Sequence, residues 1–247
     1  MPADFANRSR NLARIFVDAH SIKATPQLGE ELASALGRPD LEIRLGLEVS
    51  PDGSQAQRIA LADRTGSWRL AILGSSFDLS FHPTDFAGSN LADFQGFAAE
   101  AGEVLSVAAD FLGRIGHRLA LVQEGLLQEM SGDELGAAAD RLLQRPAFFV
   151  ENPPFEWDWR CASRTELIFG EHKEPAHFIG TVKRVGATLS VGNSTQELDR
   201  LMLQVDLNTA PTNTRGRFRP EGVKAFFKEA AIQQRAIRKA ILEHIGG

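Results

Sequence analysis

The sequence predicts an α+β fold in which antiparallel β-meanders are backed by long helices packed on one face. Three observations carry that reading: strict apolar alternation over residues 41–50, a change to helical spacing over residues 91–113, and a second run of strands that ends in another apolar helical stripe after Pro220. In LEIRLGLEVS the residues Leu41, Ile43, Leu45, Leu47 and Val49 alternate with mostly polar or small ones, the period of a half-buried strand. Pro51, Asp52 and Gly53 supply a turn, residues 57–62 a second strand and residues 63–66 another turn, so a meander follows. Over residues 67–73 the apolar phase rests on Trp68, Leu70 and Ile72, whereas over residues 77–81 it rests on Phe77, Leu79 and Phe81. A bulge at Gly74, Ser75 and Ser76 in one bent strand is the expected device, because an inserted residue sends every later side chain to the other face.

Leu91, Phe94, Phe97, Ala101, Leu105 and Ala108 recur every three or four residues, the pattern of an amphipathic helix that Asn90 is placed to cap and Gly113 to end. Residues 118–127 read as a strand. Residues 131–145 read as a helix, with Ser131 and Glu134 spaced as a capping box and Pro146 as its stop. After Pro153 and Pro154 the chain turns β-rich again, with Trp157, Trp159 and Cys161 on one strand face and further strands over 165–169, 177–185, 187–191 and 200–208. Pro220 suits the first position of a closing helix, along which Val223, Phe226, Phe227, Ala230, Ile237 and Ile241 trace the apolar stripe. Residues 41–113 and 155–245 therefore repeat one scheme, a meander followed by a long helix. This gives a single compact unit, 1–247, with two pseudo-repeated halves of about 1–150 and 151–247.

Composition narrows the function classes. The 43% hydrophobic and 24% charged content is that of a globular chain able to fold alone. One cysteine cannot make an internal disulfide, the N-terminal residues lack the apolar core of a secretory signal, and no window approaches the roughly 18 apolar residues of a bilayer span. The expectation is a cytoplasmic protein without a membrane partner. Net charge is −5, but residues 215–247 hold eight Lys or Arg against three Asp or Glu, so residues 1–214 carry −10. Charge division of this kind lets a basic last helix dock on an acidic body, or presents a binding face.

Few residues suggest chemistry. Glu171, His172, Glu174 and His177 bring imidazoles and carboxylates close in sequence. His172 and His177 nevertheless lie five apart around Pro175, so they do not form the i, i+4 pair of a helical metal site, and a solvated turn explains the same letters. No nucleophile elbow, phosphate-cradling glycine loop or paired C-x-x-C motif is present, and neither metal nor cofactor is expected. Cys161 reads as a small buried hydrophobe in a strand. Asp78, His82 and Asp85 form no convincing acid/base group, since strand alternation alone places Asp78 and His82 on one polar face. The loop over residues 213–219, NTRGRFR, is the best binding candidate: Arg215, Arg217 and Arg219 precede a helix N-terminus, and arginine forks with open helix amides suit phosphate or carboxylate groups. The same arginines suit pinning the helix to the body. Trp68, Phe77 and Trp157 are the candidate lining of an apolar ligand cavity between sheet and helix.

The stretch SWRLAILGSSFDLSFHPTDFAGSNLADFQGFAAEAGEVLSVAADFLGRIGHRLAL, with VKAFFKEAAIQQRAIRKAILEHI near the C-terminus, resembles a sporadically distributed family of uncharacterised bacterial proteins. The features of that likeness are Phe81 on an aromatic-bearing strand, Asp93 with Phe94 opening a long helix, and Arg118 on the strand after it. Where the family's strand usually reads GLRYIN, this chain has HRLALVQEGL. The resemblance implies a bacterial origin and the duplicated architecture, and carries over no activity. The resulting expectation is a non-enzymatic protein-binding subunit, an accessory, inhibitor or neutralising partner in a bacterial system. The alternatives are a small-molecule binder using the apolar cavity and a nucleic-acid binder using the 213–219 loop.

Overall fold

The computed structural model describes residues 5–49, 53–191 and 194–246. Among these the chain forms nine strands and five α-helices: β1 (Asn7–Phe16), α1 (Pro26–Ala35), β2 (Glu42–Val49), β3 (Gln55–Ala62), β4 (Trp68–Ile72), β5 (Ser76–Phe81), α2 (Phe94–Phe111), β6 (Arg118–Leu126), α3 (Gly132–Leu142), α4 (Ala147–Glu151), β7 (Trp157–Phe169), β8 (His172–Val191), β9 (Ser194–Thr209) and α5 (Pro220–Gly246). Pro51 and Asp52 of the expected turn lie outside the described residues.

All the strands join one antiparallel sheet in the order β2-β3-β4-β5-β1-β6-β9-β8-β7. Its centre is the β1–β6 pair, where Ala13 faces Leu121 and Ile15 faces Leu119. Outward from that pair the two sides follow one rule: the last strand of each meander, β5 or β9, returns beside the strand that began it, and a long helix follows. By pairing, β6 belongs with the later meander although it precedes residue 150.

Alternation divides the sheet cleanly. Ala13, Ile15, Leu70, Phe77, Leu79, Leu119, Leu121 and Leu207 point to one face and are buried with Phe97, Ala101 and Leu105 of α2 and Phe226, Phe227 and Ala230 of α5. A second cluster joins Leu201, Leu203 and Val205 of β9 to α3 and to Leu242 and Ile245 of α5. Helices α1, α2, α3 and α5 thus share one face. The two long helices cross closely at Gly102, where a Cβ would stand 3.1 Å from the Lys224 Cα, so a larger residue there pushes them apart. Asp93 caps α2 by accepting from the Gly96 amide at 2.9 Å, so the helix starts later than the apolar repeat suggests and Asn90 instead braces the preceding loop. Ser131 and Glu134 form the expected capping box on α3.

Further sequence expectations change. Residues 67–81 form a hairpin, β4–β5, and not one bent strand: Ile72 faces Phe77 and the Leu73 amide donates to the Ser76 carbonyl at 2.8 Å. Across this turn, even-numbered positions face odd-numbered ones, so the apolar phase flips without a bulge. Strand β2 is an edge whose Leu47 and Val49 are 70 and 63% exposed, because α1 covers only its first residues. Cys161 is exposed, since it lies on the other edge strand, β7, where the helix layer gives little cover.

Replacing a buried strand residue should therefore cost far more than replacing one on β2. Leu70→Ala is expected to lose about 2–5 kcal/mol in urea unfolding, and Leu47→Ala less than about 0.5 kcal/mol.

Candidate functional site

The sheet face turned away from α1, α2, α3 and α5 is left unused by the core. Strand register alone places Arg10, Leu12, Arg14 and Phe16 of β1 on it, opposite Glu124, Val122, Ala120 and Arg118 of β6. Ser76, Asp78 and Ser80 extend it along β5, and Arg69 and Ala71 along β4. On the other side Gln204, Asp206 and Asn208 of β9 lead to His177 and Thr181 of β8 and to Arg160 and Arg164 of β7.

Part of this surface is internally satisfied. Arg14 grips Asp78 with two parallel hydrogen bonds, one of 2.7 Å from Nε to Oδ1, and Ser76 donates to the same oxygen at 2.8 Å. The Phe16 ring has the Arg14 guanidinium carbon 5.4 Å and the Arg118 guanidinium carbon 4.6 Å from its centroid, so it forms cation–π contacts with both. Arg118 donates to Asn208 Oδ1 at 2.9 Å, and Asn208 Nδ2 donates to Asp206 at 3.1 Å. Arg58 of β3 holds Glu48 of β2 at 2.6 Å. Beside that pair, Arg44, Arg69, Leu73 and the small residues Gly46, Ala60 and Ala71 shape a shallow concavity of about 380 Å³.

Other arginines stay available. Arg10, Arg69, Arg160 and Arg164 make no ion pair among the described residues. The Glu124 carboxylate, which faces Arg10 in the register, accepts from the Ser9 hydroxyl at 2.9 Å. Burial, and then the charges of Arg10 and Arg69, hold the His82 imidazole below its ordinary value, so cationic groups converge there. Asp206 is shifted the other way: flanked by Val122 and Ile179, its carboxyl is pushed up by burial, against the opposing pull of Asn208, Arg118, Arg160 and Arg14.

The residues singled out in sequence lie elsewhere. Arg217 donates to both Glu174 oxygens at 2.9 Å and to the carbonyls of His117, Asn213 and Arg215, so its fork is committed to holding the loop, while Arg215 and Arg219 are exposed. Trp68 and Phe77 lie in one buried cluster and Trp157 in the other, so the structure does not bring the three together. His172 faces the helices, 5.3 Å from the Phe169 and Phe218 rings, whereas His177 faces the open side. The two imidazoles cannot share an ion. Asp85 caps the turn at Ser89 and takes no part with Asp78 or His82. Phe81 packs edge-on against Phe97 at 4.9 Å, on the helix side.

No family model and no curated protein matches the chain. A rolling circle replication initiator protein from Geobacillus stearothermophilus is similar in structure over 94% of this chain and 78% of that one, with 9% identity and a TM-score of 0.33. A likeness of that strength carries no argument. No described helix is long and apolar enough to cross a membrane.

Asp206 offers a direct check of the electrostatics. A raised folded-state carboxyl pKa means that the unfolded chain ionises first, so this group's contribution to stability falls as pH rises above about 3.8. Asp206→Asn is expected to equal or exceed the parent in stability at pH 7 and to lose that advantage below pH 3.8. A variant weaker than the parent at pH 7 but equal to it in acid would mean that the arginines outweigh burial.

Proposed function

We propose that this chain is a non-enzymatic binding subunit that holds a protein partner against the open face of its sheet, in an accessory, inhibitory or neutralising role in a bacterial system. One observation carries the reading: among the described residues, a sheet face without a helix layer presents Arg10, Arg69, Arg160 and Arg164 without ion-pair partners, on a chain whose net charge is −5. Unpaired arginines between small residues suit carboxylates on a complementary surface, because the guanidinium fork binds them in pairs and loses little hydration. They also steer an acidic partner into register.

A protein, in preference to a nucleic acid, is favoured by the apolar surface near β7. Helix α4 buries no side chain, and Phe148, Val150 and Phe155 are 66, 57 and 83% exposed. Aromatic exposure of this extent marks protein contacts. The nucleic-acid reading through residues 213–219 draws less support, because Arg217 is committed to Glu174. The groups that a catalytic reading would need on the open face are engaged too: Asp78 is held by Arg14, and Asp206 sits within the Asn208 and Arg118 network.

The test is affinity capture with the tagged full chain and with a variant carrying Arg10→Glu and Arg69→Glu. The expected result is a stoichiometric protein, released by high salt and missing from the variant's eluate. A partner retained by the folded variant, or nucleic acid as the only bound material, would overturn this reading.

A further inference from the structure

Among the described residues strand β2 ends the sheet and pairs with β3 alone, so one side of its backbone is open to another strand. Natural edges are commonly guarded by lysine, proline, a bulge or shortness. β2 runs eight residues in unbroken register with β3, contains neither Lys nor Pro, and presents Leu45, Leu47 and Val49 at 41, 70 and 63% exposure. Its charged residues, Glu42, Arg44 and Glu48, alternate with that apolar set on the other face, as Asp158, Arg160, Arg164 and Glu166 do along the opposite edge strand, β7.

We infer that β2 is the interface for a second copy of this chain, which adds its own β2 antiparallel across a two-fold axis through Gly46. The choice of occupant rests on the strand's self-complementarity. A two-fold axis normal to the sheet keeps each face on its own side, so paired positions must be symmetric about one residue. Centred on Gly46, Leu45 meets Leu47 of the second copy, Ile43 meets its Val49, and Arg44 meets its Glu48, with every contact made twice. The apolar pairs fall on the helix-bearing face and the ion pairs on the open face. Centred on Leu45 instead, Glu42 would face Glu48, a like-charge pair.

Local geometry permits this register. At Gly46 a Cβ would have nothing within 4 Å, so the axis is uncrowded. Glu48 binds Arg58 and the Gly74 amide through Oε2, leaving Oε1 for the incoming Arg44. Among the described residues Arg44 is held only by Glu42 on its own strand, at 2.8 Å between half-exposed side chains, an ion pair that exchanges at small cost. Ile43 already lies under α1, where a Cβ on Gly29 would stand 2.7 Å from its side chain. The exposed Val49 of one copy therefore lands beside a residue that the other copy's helix covers.

Sedimentation equilibrium of the full chain tests the proposal. The expected mass is twice 27.0 kDa. Arg44→Glu and Glu48→Arg should each raise the dissociation constant about ten-fold or more, and the chain carrying both should return towards the parent value, because the reversed charges again face each other. Leu47→Lys, at an exposed position that leaves the monomer folded, should give monomer. A monomeric parent at tens of micromolar, a dimer indifferent to these changes, or a double variant no tighter than the single ones would overturn the assignment.

Discussion

The β1–β6 ladder is the constraint on which the rest of the structure depends. Without it the chain would be two separate meanders, each with a long helix and a bare strand edge. With it, Ala13, Ile15, Leu119 and Leu121 form a continuous apolar floor, and α2 and α5 can lie side by side across it. Gly102 lets those helices approach closely, and Gln234 of α5 reaches the sheet to donate to the Leu121 and Val205 carbonyls. The last helix is thereby tied to the first and the last strand of the later meander, β6 and β9. The open face follows from the same arrangement: one helix layer satisfies one sheet surface, and the other is left to whatever the outward residues can hold.

The apolar alternation of residues 68–72 and 77–81 was legible in the sequence, though not the hairpin turn that joins them, as were the capping box of α3 and the stripe of α5. The most important strand was not. β1 buries Ala13 and Ile15, but Asn11 shares that inward side, Leu12 and Phe16 point outward, and a register shift between Arg8 and Arg10 interrupts the alternation, which blurs the apolar–polar contrast that marks a strand. Its Asn11 amide is fully buried without a hydrogen-bond partner among the described residues, a position that burial statistics give no reason to expect. With β1 unread, Arg10 and Arg14 had no face to belong to. The arginines that a sequence can find are those crowded in one loop, and Arg217 shows why crowding misleads: a guanidinium in a loop is as apt to tie carbonyls together as to meet a ligand.

A similar lesson comes from the edges. Apolar alternation along residues 43–49 reads as burial, yet whether a strand is covered depends on where it falls in the sheet, and strand order is set by pairings distant in sequence. Trp157 and Cys161 illustrate it within a single strand. Both point to the helix side, but Trp157 reaches the second core cluster and Cys161 lies beyond the helices' cover.

The central ladder also has a consequence for the growing chain. During synthesis β1 emerges first, and its earlier partner, β5, follows within 81 residues, so the first meander and α2 can assemble while β6 is still unmade. Until residues 118–126 leave the ribosome, that intermediate has one side of β1 unsatisfied, and the α2 surface that will meet α5 stays uncovered until residues 220–246 follow. The half-made protein is thus most adhesive along the line that is best protected once synthesis ends.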